Sequence, residues 1–137
     1  MSVPEGKRSQ GRMEVFVKAR QLAAHTAKIC SNKNIFKPEI DEELIHRLKS
    51  YAYDIYSESW EANRIRAETN SVNRKMRYEK QERALLLCDR MLVHVSVAKQ
   101  VFHLKSKKVK YWTNLIAEVQ KLLQAWKESD VKRYGQP

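Results

Sequence analysis

Glycine and proline are scarce in this chain of 137 residues, which contains three of each. A sandwich or barrel of many short strands needs turn residues at every connection, so these folds are excluded. Cysteine is scarcer still. Cys30 and Cys88 both lie in apolar helical patterns and have no C-x-x-C spacing. We interpret them as buried thiols of a reducing compartment and not as a disulfide or a metal site.

The chain also lacks a long apolar run. No stretch behind the first basic residues has the length of a signal peptide or of a membrane span, so we expect a cytoplasmic protein that does not enter a membrane. Hydrophobic residues make up 42% and charged residues 31%, as is typical of a folded domain. A chain of this length buries about 70% of its unfolded surface, which is enough for a core without disulfides or zinc.

Acidic residues are the third shortage. The chain has 16 Asp and Glu against 27 Lys and Arg, which gives a formal net charge of +11. A protein with this excess typically binds nucleic acid, an acidic partner or an anionic surface. The charge therefore predicts a polyanionic partner, and composition alone does not distinguish RNA from DNA.

Apolar residues recur at helical spacing along nearly the whole chain. The clearest seam, at intervals of three and four, consists of Val109, Trp112, Ile116, Val119, Leu123 and Trp126. Similar patterns predict helices from about Met13 to Cys30, from about Asp41 to Arg66 and from about Val72 to Phe102. Because short loops favour antiparallel neighbours, the sequence predicts an all-α fold, an up-down-up-down four-helix bundle. We assign residues 13–131 to the bundle, residues 1–12 to a flexible basic tail and residues 132–137 to a C-terminal tail.

The third predicted helix carries more apolar residues than one bundle core requires. From Ala84 to Phe102, 13 of 19 residues are apolar, whereas a core-facing stripe needs about three positions in seven. Leu86, Val93 and Val97 lie off the main seam. They form either a second ridge that contacts another copy of the protein or part of an unusually wide core. We predict the first, an oligomer interface.

Basic residues crowd the predicted starts of the third and fourth helices. A helix N-terminus carries a partial positive charge, so bases at this position call for an anion. Lys80, Arg83 and Arg90 share a stripe along the third helix, as expected of a surface that follows a phosphate backbone. The predicted nucleic-acid-binding residues are Arg74, Lys75, Arg77, Lys80, Arg83, Arg90, Lys105, Lys107, Lys108 and Lys110. The alternative is a solvated basic face.

Motifs of catalysis are missing. The sequence has no glycine-rich phosphate loop, no G-x-S-x-G and no H-E-x-x-H. Glu43 and His46 have E-x-x-H spacing, but a di-metal bundle site needs a second such motif. We therefore expect no enzymatic activity, no cofactor and no metal. The acidic residues Asp54, Glu58 and Glu61 are interpreted as ion-pair partners of neighbouring bases.

Several short strings, taken in their order and spacing, resemble a known family. They are Lys18-Ala19-Arg20 leading to Ser31-Asn32-Lys33, Trp60-Glu61-Ala62-Asn63, Val101-Phe102-His103-Leu104, Tyr111-Trp112, and Ala125-Trp126-Lys127-Glu128-Ser129-Asp130-Val131-Lys132-Arg133-Tyr134-Gly135. From about Val15 to Gly135 the chain is similar to the accessory variability determinant (Avd) proteins of diversity-generating retroelements.

The resemblance implies a homopentameric ring of basic four-helix bundles. Such a ring binds a reverse transcriptase and nucleic acid, template RNA or cDNA, as a non-catalytic partner in mutagenic retrohoming, in which the reverse transcriptase performs the chemistry. Two alternatives remain open. One is a four-helix protein of the kind encoded in ribosomal-RNA intervening sequences, whose fold is similar and whose role is obscure. The other is a helical regulator that binds an acidic protein partner.

Overall fold

Four helices make up most of the structure. A computed structural model describes residues 5–137, with side chains from residue 11 onwards. The helices are α1 (Glu5–Cys30), α2 (Pro38–Arg64), α3 (Ser71–Val101) and α4 (Ser106–Tyr134). The predicted all-α fold class is confirmed.

Each helix packs against two others, so that the four close into a ring in the order α1, α2, α3, α4. Neighbouring helices are antiparallel. Glu61 of α2 meets Lys80 of α3, and further along the same pair of helices Tyr51 meets His94. The contacts of α3 with α4 and of α1 with α4 follow the same rule, because residue numbers rise along one helix as they fall along the other. The chain is an up-down-up-down four-helix bundle, as predicted.

The bundle has two ends that differ in composition. The α4-start end contains the connections 31–37 and 102–105, and the α3-start end contains the connection 65–70 together with the start of α1 and the end of α4. At the α4-start end, the ring of Phe36 contacts those of Phe102 and Trp112, with centroids 5.2 and 6.0 Å apart. These rings close the core at this end.

The apolar seams predicted from the sequence form the core. The seam of α4 is buried from Trp112 to Trp126, while Val109 lies half-buried at its edge. Each large apolar side chain that is fully buried contributes about 1.5–3 kcal/mol to the free energy of folding, relative to the same side chain left in water. One polar contact crosses this core, where the Trp112 Nε1–H donates to Thr26 Oγ1 over 3.0 Å. Both side chains are buried, so the bond satisfies the indole N–H of Trp112 and the hydroxyl of Thr26 inside the core.

Side-chain caps set two of the helix starts. Asp41 has an extended backbone inside α2, and its Oδ1 accepts a hydrogen bond of 2.9 Å from the Leu44 N–H. The regular part of α2 therefore begins at Asp41, as predicted. Asn70 plays the same role for α3, because its Oδ1 accepts from the Asn73 N–H over 2.8 Å.

The outer ends of α1 and α4 extend beyond the predicted limits. The sequence predicted a start of α1 near Met13, whereas the helix begins at Glu5 and includes residues 5–12, which were assigned to a flexible tail. Gly6 and Gly11 each lower the helix propensity of this stretch by about 1 kcal/mol relative to alanine. No proline lies between Pro4 and Pro38 to interrupt the helix. Residues 1–4 lie outside the described part of the chain. At the other terminus α4 continues to Tyr134, and Gly135 (φ 88°) follows it.

The turn from α3 into α4 takes four residues, 102–105. His103 has a left-handed backbone (φ 53°), which costs a residue with a Cβ about 1–2 kcal/mol. The Leu104 N–H then donates to the Lys99 carbonyl over 3.1 Å, a bond typical of a helix C-cap. This short turn holds the lysine-rich start of α4 against the end of α3.

A buried ion pair joins α3 and α4 at the α3-start end. The side chain of Arg77 is only 5% exposed. Its Nε and Nη2 donate to the two carboxylate oxygens of Asp130 over 2.7 and 2.9 Å, and its Nη1 donates to the Ile65 carbonyl. Gln81 donates to the same carboxylate over 2.8 Å, and the guanidinium lies over the Trp126 ring. The positive charge of Arg77 is therefore neutralised by Asp130 within the bundle.

Replacing Asp130 by Asn tests this pair. The substitution keeps the size of the side chain but leaves the guanidinium of Arg77 buried without its counter-ion, so we expect a loss of about 3 kcal/mol in the free energy of unfolding. Urea denaturation followed by circular dichroism measures it. The matched control is Glu43→Gln, which breaks the exposed pair of Glu43 with Arg47 and should leave the midpoint unchanged. Equal midpoints for the two variants would contradict the assigned role.

Both cysteines are free and buried, as the sequence predicted. Burial raises the pKa of the Cys30 thiol and of the Cys88 thiol to about 12. The thiolate is the reactive form of cysteine.

We expect both thiols to be nearly inert in the folded protein. At pH 8 a group with this pKa is thiolate in about one molecule in ten thousand, so the aromatic disulfide reagent DTNB should react slowly under native conditions. In guanidinium chloride two thiols should react at once. Rapid native labelling would contradict the burial of at least one of them.

Candidate nucleic-acid interface

The start of α4 carries the densest group of exposed positive charge. Lys105, Lys107, Lys108 and Lys110 are all exposed. The first turn of α4 has no acidic residue, and no side chain caps the helix. The Lys108 N–H already donates to the Lys105 carbonyl, whereas the N–H groups of Ser106 and Lys107 have no side-chain partner. The partial charge of this helix end adds to that of the lysines. This arrangement favours an anion.

Further lysines reach the same end from other segments. Lys28 is in the last turn of α1, Lys33 and Lys37 are in the connection that follows, and Lys99 is in the last turn of α3, all exposed. Sequence reasoning missed these residues because they are separated along the chain. The acids at this end belong to the start of α2, where they complement the dipole of that helix.

The start of α3 does not form a comparable site. Asn70 caps the helix, and Arg74 donates to the Ala67 carbonyl over 3.3 Å. Arg77, predicted to bind nucleic acid, is buried against Asp130 and is not available to a phosphate. The prediction for Arg77 is wrong because its partner lies on α4, 53 residues away. Of the three basic residues predicted at this helix start, only Lys75 is exposed, because Arg74 is half-buried and Arg77 is buried.

The predicted residues do not form one patch. The 31 residues of α3 extend over about 46 Å, so Lys75 and the α4 lysines lie at opposite ends of the bundle. The candidate interface defined by the structure is the α4-start end, and the α3-start end is not part of it.

The basic stripe along α3 is partly neutralised. Lys80 forms ion pairs with Glu58 and Glu61 over 3.4 and 3.0 Å, and Arg83 pairs with Glu58 over 3.4 Å. The hydrogen bond that Lys80 donates to the Glu61 carboxylate raises the pKa of Lys80. The interpretation of these two acids as ion-pair partners is confirmed. Arg90 is exposed and forms no ion pair within residues 11–137.

The second apolar ridge of α3 is exposed. Leu86, Val93 and Val97 are 47%, 60% and 44% exposed, so the alternative of a wide core is wrong. Beside the ridge, α3 and α4 line an open groove of about 530 Å³, in which Leu85 and Leu86 lie among polar and charged side chains. An exposed apolar ridge of this kind is typical of a surface that contacts another protein.

Among the residues that the structure describes, no three side chains of His, Cys, Asp or Glu stand close enough together to hold a metal ion. None of the described helices combines the length and the apolar character that crossing a bilayer requires.

Comparison of the chain with protein-family models, curated proteins and solved structures yields no match. The charge distribution and the exposed ridge are therefore the structural observations that bear on function.

The exposed ridge makes a prediction about assembly. Val93→Glu places a charge in the middle of the ridge, so an oligomer held together by this face should dissociate into single chains, as measured by light scattering. The control is Val72→Glu, the same substitution at an exposed position of the same helix, 14 residues from Leu86. It should leave the mass unchanged. A wild-type protein that is a single chain at micromolar concentration would contradict the prediction.

Proposed function

We propose that this chain is a non-catalytic, nucleic-acid-binding subunit of a diversity-generating retroelement, which assembles with copies of itself and acts beside a reverse transcriptase. The resemblance to Avd proteins suggests the system and the enzyme partner. The charge of the α4-start end supports the nucleic-acid part, and the ridge of Leu86, Val93 and Val97 supports the assembly.

The observation that carries the proposal is the uncapped start of α4 among exposed lysines. Lysine ammonium groups attract the phosphates of any sequence, because neutralising a phosphate releases the counterions condensed around it. The amides of the first turn add directed hydrogen bonds to the same phosphates. Binding of this type positions a strand and reads no bases, which suits a scaffold that holds template, primer or cDNA for another enzyme.

Assembly multiplies this weak binding. A ring of five copies would carry 5 × 11 = +55 formal charges. Sites that engage one strand together bind it far more tightly than each does alone, because the second contact is intramolecular. In this proposal the ridge of α3 therefore contributes to affinity without touching the nucleic acid.

Charge reversal at the α4 start tests the location. In Lys105→Glu/Lys110→Glu, two phosphate contacts are lost at the proposed interface. We expect weaker binding of a labelled single-stranded oligonucleotide, and a slope of log affinity against log salt that is shallower by about one to two units. Fluorescence anisotropy with RNA and DNA of the same sequence provides both values and the preference between them.

The matched control is Lys75→Glu/Lys132→Glu, which changes the net charge equally at exposed positions of the opposite end of the bundle. It should retain most of the wild-type affinity. Equal losses in both variants would show that net charge alone attracts the strand. Salt-independent or absent binding by the wild type would favour a regulator of an acidic protein instead. A reverse-transcriptase gene beside this one distinguishes an Avd protein from an intervening-sequence protein.

A further inference from the structure

A groove of about 600 Å³ opens at the α4-start end between α1, the connection 31–37 and the start of α4. Its size is that of a small-molecule site. The apolar side chains that line it are Ile29, Ile35, Phe36, Leu104, Val109 and Trp112. Phe36, Leu104 and Trp112 belong to the core, and Ile29, Ile35 and Val109 pack against it. The apolar floor of the groove is therefore the edge of the hydrophobic core.

Three lysines line this groove together with the apolar floor. Lys28 of α1 and Lys107 and Lys108 of α4 line the groove. All three are exposed, and none forms an ion pair among the side chains that the structure describes. None of the residues that line the groove is acidic. An anion held here would have no carboxylate to repel it.

Two aromatic rings also line the groove. The rings of His25 and Tyr111 meet edge to face with centroids 4.9 Å apart, and both residues line the groove. Burial lowers the pKa of His25, and the charge of Lys28 lowers it further. His25 is therefore uncharged at pH 7 and adds no charge to the groove.

We propose that this groove binds a small amphipathic carboxylate, with its alkyl chain on the apolar floor and its carboxylate beside Lys107, Lys108 and the first amides of α4. Charge complementarity selects this class of ligand: the lysines and the uncapped amides of α4 require an anion, and the floor requires an apolar body. A nucleobase fits less well, because Asn32 is the only side-chain amide lining the groove and the edges of a base need several hydrogen-bond partners when they are buried. The inference does not depend on the proposed nucleic-acid binding.

Decanoate below its micellar concentration is the probe, and isothermal titration calorimetry measures its affinity. Lys107→Glu/Lys108→Glu should weaken decanoate binding about tenfold or more, because the carboxylate loses its charged partners. The comparison variant is Lys105→Glu/Lys110→Glu, an equal change of charge on the same turns of α4 at residues that do not line the groove. It should weaken decanoate binding clearly less than Lys107→Glu/Lys108→Glu does, because its charges act on the carboxylate only at a distance and partly screened.

Decanol and acetate separate the two parts of the ligand. Both should bind at least about tenfold more weakly than decanoate, since one lacks the charge and the other the chain. Ile35→Asn, in the connection 31–37, should weaken decanoate binding through the floor, and its melting temperature shows whether it is folded.

Three results would overturn the inference: no decanoate binding by the wild type, equal losses in the two lysine double variants, or decanol binding as tightly as decanoate. The same proteins distinguish this inference from the proposed function. Lys105→Glu/Lys110→Glu is expected to bind the oligonucleotide more weakly than the wild type while it retains more decanoate affinity than Lys107→Glu/Lys108→Glu. If the wild type bound decanoate and no oligonucleotide, only the proposed function would fail.

Discussion

The guanidinium of Arg77 holds together the end of the bundle at which three segments meet. It lies on α3, its two hydrogen bonds to carboxylate oxygens go to Asp130 on α4, and a third goes to the Ile65 carbonyl where α2 ends. Burying a charge is costly unless its partner has good geometry and the remaining donors are satisfied. Here Gln81 and the Trp126 ring complete the surroundings. Because the pair forms in only one register, it fixes how α3 and α4 align.

That alignment decides which end of the molecule can bind a partner. Asn70, Arg74 and Arg77 all use their polar groups within the α3-start end. At the α4-start end the lysines of α4 have no such partners, and no side chain caps the helix. At one end Arg77 uses its charge for stability, and at the other Lys105, Lys107, Lys108 and Lys110 leave theirs available to an anion.

The sequence predicted what depends on spacing within one helix. The seam from Trp112 to Trp126, the start of α2 near Asp41 and the exposed ridge of α3 all follow from periodicity and local chemistry. What the sequence did not reveal depends on contacts between distant segments. Arg77 resembles any basic residue near a helix start until Asp130 is brought against it. The groove was missed for the same reason, because Lys28 and Lys107 come together only when α1 and α4 pack.

The closed ring of four helices has a consequence for synthesis. Helix α1 packs on α4 as well as on α2, and the hydrogen bond between Thr26 and Trp112 joins residues that are 86 positions apart. While the ribosome is still making α4, α1 and α3 each lack one of their two neighbours and expose apolar side chains that the finished protein buries. Contacts of such long sequence separation form late, since the loop between them must first close. The nascent chain thus completes this core only after α4 has emerged, and until then its exposed apolar side chains favour aggregation.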